Sequence, residues 1–139
     1  MPLTSNEIEA ANRAEATVLL IRGGYRVYRP EADVFGEDLI VRTSDGDLLP
    51  VQIKGRPTVD RLRYGNRGIW MLFPDPAGAI PGRPWFFLRH DELFAWMRER
   101  HGTAPGWNDC WSDPYVSVDL FNFLEKFVRQ LKAVPVIKE

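Results

Sequence analysis

The sequence predicts an α/β chain: one N-terminal helix, a series of short strands, and two helices towards the C-terminus. Three observations carry this. Residues 5–22 run without Pro or Gly behind a Thr4-x-x-Glu7 capping-box signature and stop at Gly23-Gly24. From residue 25 to residue 89 the apolar residues fall instead in short runs rich in Val, Ile, Leu and aromatics, punctuated by Gly and Pro. Beyond residue 90, two segments return to helical spacing.

The chain has 139 residues and is 45% apolar, enough for one domain with a real core, spanning 1–139, and too short for two. No run approaches the length of a membrane span, and the start MPLTSNEIEA lacks the basic and apolar regions of a secretory signal. A cytoplasmic protein with no membrane partner is expected. Cys110 is the only cysteine, which excludes an intrachain disulfide and a multi-cysteine zinc site. A formal net charge of −1 and a pI near 6.1 argue against a protein that coats nucleic acid non-specifically.

In the first helix, Ile8, Ala11, Val18 and Leu19 fall at helical spacing on one face, and Glu15 lies in the same stripe. A carboxylate on a packing face is costly unless it is partnered. Glu15 therefore either sits at the border of the stripe and reaches water or has a task. Residues 25–29 read as a first strand closed by Pro30, and 31–36 as a connecting loop.

Residues 38–54, DLIVRTSDGDLLPVQIK, hold two strand-like runs around Ser44-Asp45-Gly46, a strong turn signal for a β-hairpin. Side chains alternate along a strand, so Gln52 and Lys54 share one face while Val51 and Ile53 share the other. Register decides where Asp38 falls. With a three-residue loop and Gly46 in the left-handed conformation, Thr43 faces Asp47 and Asp38 comes opposite Gln52. With Asp45-Gly46 alone as the turn, Asp38 moves to the opposite face unless a bulge restores it. Pro50 inside the second run cannot donate to a ladder, which implies a bulge or an unpaired N–H position.

Directly after Lys54 the chain carries Lys54, Arg56, Arg61, Arg63 and Arg67 against one acid, Asp60. Such a segment is either a solvated basic loop or a place for phosphates. Residues 69–73 and 85–89 read as further strands joined by a Pro/Gly-rich connection. Asp91 is placed to cap a helix running to His101, with Leu93, Trp96 and Met97 inward, and Ser117 to cap a last helix with Leu120, Phe123, Leu124, Phe127 and Leu131 as its stripe. The tryptophans Trp85, Trp96, Trp107 and Trp111 suit packing, and no Ser-His-Asp or Cys-His pairing stands out.

An aspartate at one strand start, followed on the next strand by an acid or amide two residues before a lysine, resembles the pattern of the PD-(D/E)XK nuclease superfamily. Here Asp38, Gln52 and Lys54 take those places. Glu37 stands where the pattern has proline, and Gln52 replaces the second acid, as in the Gln-x-Lys variant of Mrr-like enzymes. Glu15, ahead of Gly24-Tyr25-Arg26-Val27, is similar to the first-helix glutamate of archaeal Holliday-junction resolvases. The resemblance covers about residues 10–55.

It implies a restriction-endonuclease-like core: the N-terminal helix, a mixed β-sheet of about five strands, and the two C-terminal helices. It implies Mg²⁺- or Mn²⁺-dependent hydrolysis of DNA phosphodiesters, with Asp38, Gln52 and Glu15 at the metal, Lys54 at the attacking water and the transition-state phosphorane, and Arg56, Arg61 and Arg63 on flanking phosphates. Because cutting both strands takes two sites, it also points to a homodimer. An amide at the second acidic position removes a formal negative charge from the metal site. The rival expectation is therefore a non-catalytic nuclease-fold module that binds nucleic acid or a partner protein. A third reading makes the Trp-rich C-terminal half an oligomer interface.

Overall fold

The computed structural model describes residues 1–32, 36–127 and 129–131, excepting the side chains of 127 and 129–131. Helix α1 (Ser5–Arg22) begins at the expected capping box: Thr4 Oγ1 accepts the Glu7 N–H at 3.2 Å, and Glu7 Oε1 accepts the Thr4 N–H at 2.9 Å. It is followed by β1 (Arg26–Tyr28), β2 (Leu39–Arg42) and β3 (Leu48–Ile53), an antiparallel meander. A connection holding β4 (Thr58–Asp60) and the single-turn α2 (Arg61–Tyr64) then crosses to β5 (Trp70–Pro74), which lies parallel to β3. The antiparallel β6 (Trp85–Arg89) leads into α3 (His90–His101), then β7 (Cys110–Ser112), α4 (Val118–Phe127) and β8 (Arg129–Leu131). The main sheet has the order β1-β2-β3-β5-β6-β8, with β8 added at the edge of the five strands the sequence led us to expect; β4 and β7 pair separately.

Strand alternation sorts the core into two layers. Leu39, Val41, Val51, Leu72, Trp85 and Phe87 meet Ala16, Leu19 and Leu20 of α1 on one face. Met71, Phe73, Phe86 and Leu88 meet Leu93 and Met97 of α3 and Leu120 and Leu124 of α4 on the other. The sheet is thus mixed and covered by helices on both faces. Among the described residues, no helix is long and apolar enough to cross a membrane.

Three expectations change. The packed face of α1 is Ala16, Leu19 and Leu20, while Ile8, Ala11 and Val18 are exposed. Apolar residues lie on two sides of this helix, and the sheet takes the side where burying each leucine is worth about 1.5–3 kcal/mol. Asp91 does not cap α3. The helix starts one residue earlier, Arg89 stands at its N-cap without a side-chain hydrogen bond, and Asp91 inside the first turn accepts the Asn66 N–H at 3.1 Å.

Ser117 does cap α4, its Oγ accepting the Leu120 N–H at 3.1 Å, but that helix ends at Phe127 and Leu131 lies in β8, paired with Trp85. Leucine suits helix and strand alike, and the open edge of β6 decides. Of the two expectations for Pro50, a bulge or an unpaired N–H position, the second holds. Pro50 pairs with Ile40 one residue before β3 meets β5 at Val51↔Trp70. Since Thr43 and Asp47 form a hydrogen-bonded pair, ladder alternation turns the Pro50 nitrogen away from β2, where no N–H is required.

Candidate functional site

The β2–β3 turn sets the site. Thr43 N–H donates to the Asp47 carbonyl at 2.9 Å, Gly46 N–H to the Thr43 carbonyl at 3.0 Å, and Gly46 has φ +89°, so the loop is the three-residue form with its glycine in the left-handed region. The pair Leu39↔Val51 follows, and Asp38 lies one residue ahead of it. Asp38 is clamped to both neighbours of Gln52: its N–H donates to the Val51 carbonyl at 2.7 Å, and its Oδ2 accepts the Ile53 N–H at 3.0 Å.

Gln52 is only 9% exposed, and its Nε2 donates to the Ile53 carbonyl at 3.4 Å. Lys54, half-buried, ties the end of β3 to β5 through its N–H and the Leu72 carbonyl at 3.0 Å. Its Nζ lies 5.5 Å from the centroid of the Tyr64 ring.

These residues share a recess of about 150 Å³, lined by Asp38, Gln52, Ile53, Lys54 and Gly55 from the hairpin and by Glu9, Asn12 and Arg13 from α1. Asp38, Gln52 and Lys54 are therefore brought together. Glu15 is not among them. Its carboxylate is held by Arg83 Nε at 2.8 Å and by Trp85 Nε1 at 2.7 Å, away from the recess. The acid that α1 does contribute is Glu9. The signal for it is in the sequence: 9, 12, 13, 16 and 20 are one helical face, so the face that buries Ala16 and Leu20 carries Glu9 and Asn12 to the end of β3.

Arg56, Arg61 and Arg63 follow on the crossover and are exposed. Arg61 pairs with Asp109 at 3.5 Å, and the Arg63 guanidinium lies 5.8 Å from the Tyr64 ring centroid. The joint between β4 and α2 is pinned by His90, which is buried: its Nε2 accepts the Asp60 N–H at 2.9 Å, so the proton sits on Nδ1, 3.0 Å from Asp91 Oδ1. Burial pushes the His90 pKa below its ordinary value, against the pull of Asp91.

The recess offers hard oxygen donors, the carboxylates of Asp38 and Glu9 and the amide oxygens of Gln52 and Asn12, a type that suits Mg²⁺ or Mn²⁺. Arg13 and Lys54 balance the two formal negative charges. Among the described residues, no three His, Cys, Asp or Glu side chains gather into a metal-holding group. The larger hollow of about 740 Å³ lies by the hairpin turn, where Asp45, Asp47 and Glu92 oppose Arg89, and is ill suited to phosphate. No protein-family model, curated protein or solved structure matches the chain.

Proposed function

We propose that this chain is a Mg²⁺- or Mn²⁺-dependent endonuclease that hydrolyses DNA phosphodiester bonds on a restriction-endonuclease-like core. The observation that carries the reading is the meeting of Asp38, Gln52 and Lys54 with Glu9 in one recess, at the foot of a basic crossover. The order of α1, the antiparallel β1–β3 within a mixed sheet, and the C-terminal helices supports it, since it is the arrangement the resemblance implies.

Asp38, Glu9 and the Gln52 amide oxygen would hold the metal, with Glu9 in the place first expected of Glu15. When bound, the ion supplies Lewis-acid polarisation of the phosphate and of a coordinated water. The Lys54 ammonium orients the attacking water and offsets the charge that develops on the phosphorane. Arg56, Arg61 and Arg63 hold flanking phosphates and keep the strand in register with the recess. Glu9 and Asp38 against Arg13 and Lys54 leave the recess without net negative charge. That balance favours, as a second reading, a module of the same fold that binds nucleic acid without cutting it.

Plasmid nicking with Mg²⁺ or Mn²⁺, run beside filter binding and metal calorimetry, separates the two. For the nuclease, Lys54→Ala loses nicking and keeps the metal, because an ammonium is no ligand. Asp38→Ala loses both, and Gln52→Glu binds the metal more tightly. DNA binding without nicking by the wild type on every DNA form tested would leave only the second reading.

A further inference from the structure

Lys54 enters the recess on a flexible four-carbon stem, and a lysine that must meet one phosphate oxygen needs something to hold its end. The ring of Tyr64 lies where such a support is required, with Lys54 Nζ 5.5 Å from its centroid. That ring is itself fixed. Tyr64 is 3% exposed, stands edge-on to His90 at 5.7 Å and 69°, and His90 is tied by both nitrogens to Asp60 and Asp91.

On another side the chain just before Asp38 presses against it. Gly36 has φ +90°, and a Cβ there would come within 2.8 Å of Tyr64 Cε1. Tyr64 thus touches the segment that leads into Asp38 and faces the cation that follows β3. An aromatic face attracts an ammonium through its quadrupole, and the attraction grows when water is displaced from the pair.

We propose that Tyr64 is the positioning residue for Lys54: its ring face holds the ammonium at the mouth of the recess, in fixed relation to Asp38. The consequence for cleavage rests on the nuclease reading, whereas the contact itself does not.

The test uses the full chain with its four lysines labelled with ¹³C at Cε. The Lys54 signal is assigned by its disappearance in Lys54→Arg. In the wild type its Hε protons are expected to be displaced by the ring current from those of the other lysines. Tyr64→Phe should keep the displacement, because it keeps the ring, and Tyr64→Leu should abolish it. In the nicking assay Tyr64→Phe should stay active and Tyr64→Leu should fall to the level of Lys54→Ala. The double variant Lys54→Ala/Tyr64→Leu should fall no further, since residues acting through one interaction are not additive.

A wild-type Lys54 signal that coincides with the other lysines overturns the proposal, even if Tyr64→Leu fails to fold. A double variant that loses the product of the two single losses overturns it as well, because that is how a merely structural tyrosine behaves. A wild type that cuts no DNA sinks the nuclease reading alone, and the spectrum still decides where Lys54 is held.

Discussion

Glu9 and Glu15 lie on the same helix and on different faces of it, and their surroundings assign them different work. Glu15 is a structural acceptor: the fully buried Trp85 gives its indole N–H to this carboxylate, and Arg83 closes the pair from the solvent side. Glu15→Ala leaves that N–H without its partner, a loss of about 1–3 kcal/mol. The half-exposed Arg83 pair adds little. Denaturant unfolding should show this loss while metal calorimetry stays unchanged. Glu9→Gln should do the reverse, binding Mg²⁺ more weakly at near wild-type stability. If Glu15→Ala weakened metal binding and Glu9→Gln did not, the two roles would have to be exchanged. The sequence shows three acids on α1, with Glu7 assigned to the capping box, but not which of Glu9 and Glu15 faces the recess, because apolar residues occur on both sides of the helix. The pairing with Trp85, 70 positions away, is a tertiary fact.

At the scale of elements, the hairpin was the most legible part, because its register depends on a local choice of loop. Gly46 makes that choice and thereby sets Leu39 opposite Val51, which leaves Asp38 in the same recess as Gln52. The β4–α2 joint was not legible, since its anchor is His90, whose own segment explains it well enough as a strand end. Burial without a second proton gives this histidine a definite pH signature. Its folded pKa is lowered from the ordinary 6.5, so the unfolded chain takes up the proton first. Stability is therefore fully present above pH 6.5, begins to fall below it, and levels off beneath the lowered folded value. Protonation at Nε2 would also break the Asp60 N–H bond that holds α2, with Asp91 and Asp60 the acids facing the ring. Urea midpoints at about pH 7.5 and about pH 5.5 should differ for the wild type and differ less for His90→Gln. Equal differences in the two proteins would mean that carboxylates, not His90, carry the acid sensitivity.

Over the whole molecule, the α/β class, the first helix and most strands followed from periodicity and punctuation, whereas the parallel pairing of β3 with β5 and the addition of β8 to β6 depend on contacts between distant segments. Charge behaves the same way. A net charge of −1 conceals a local excess of cations on the crossover, and the fold sets Arg61 of that segment against Asp109. The 3.5 Å pair is half exposed on both sides, so it is weak in itself, but a phosphate that recruits Arg61 must first take it from Asp109.

Asp109→Asn removes that competitor at little structural cost. Asparagine tolerates the left-handed backbone found there, φ 64°, and its amide oxygen still accepts the Trp107 indole N–H. DNA affinity should therefore rise in Asp109→Asn and fall in Arg63→Ala and Arg61→Ala. For duplex DNA, each lost phosphate contact should flatten the plot of log affinity against log salt by about 0.9. Filter binding across a salt series reads both quantities. If Asp109→Asn gains affinity in the wild-type background and equally in the Arg61→Ala background, the gain is a general charge effect and Arg61 is not the residue that Asp109 restrains. If the gain vanishes when Arg61 is absent, the crossover holds DNA through an arginine that the fold keeps occupied until a phosphate arrives.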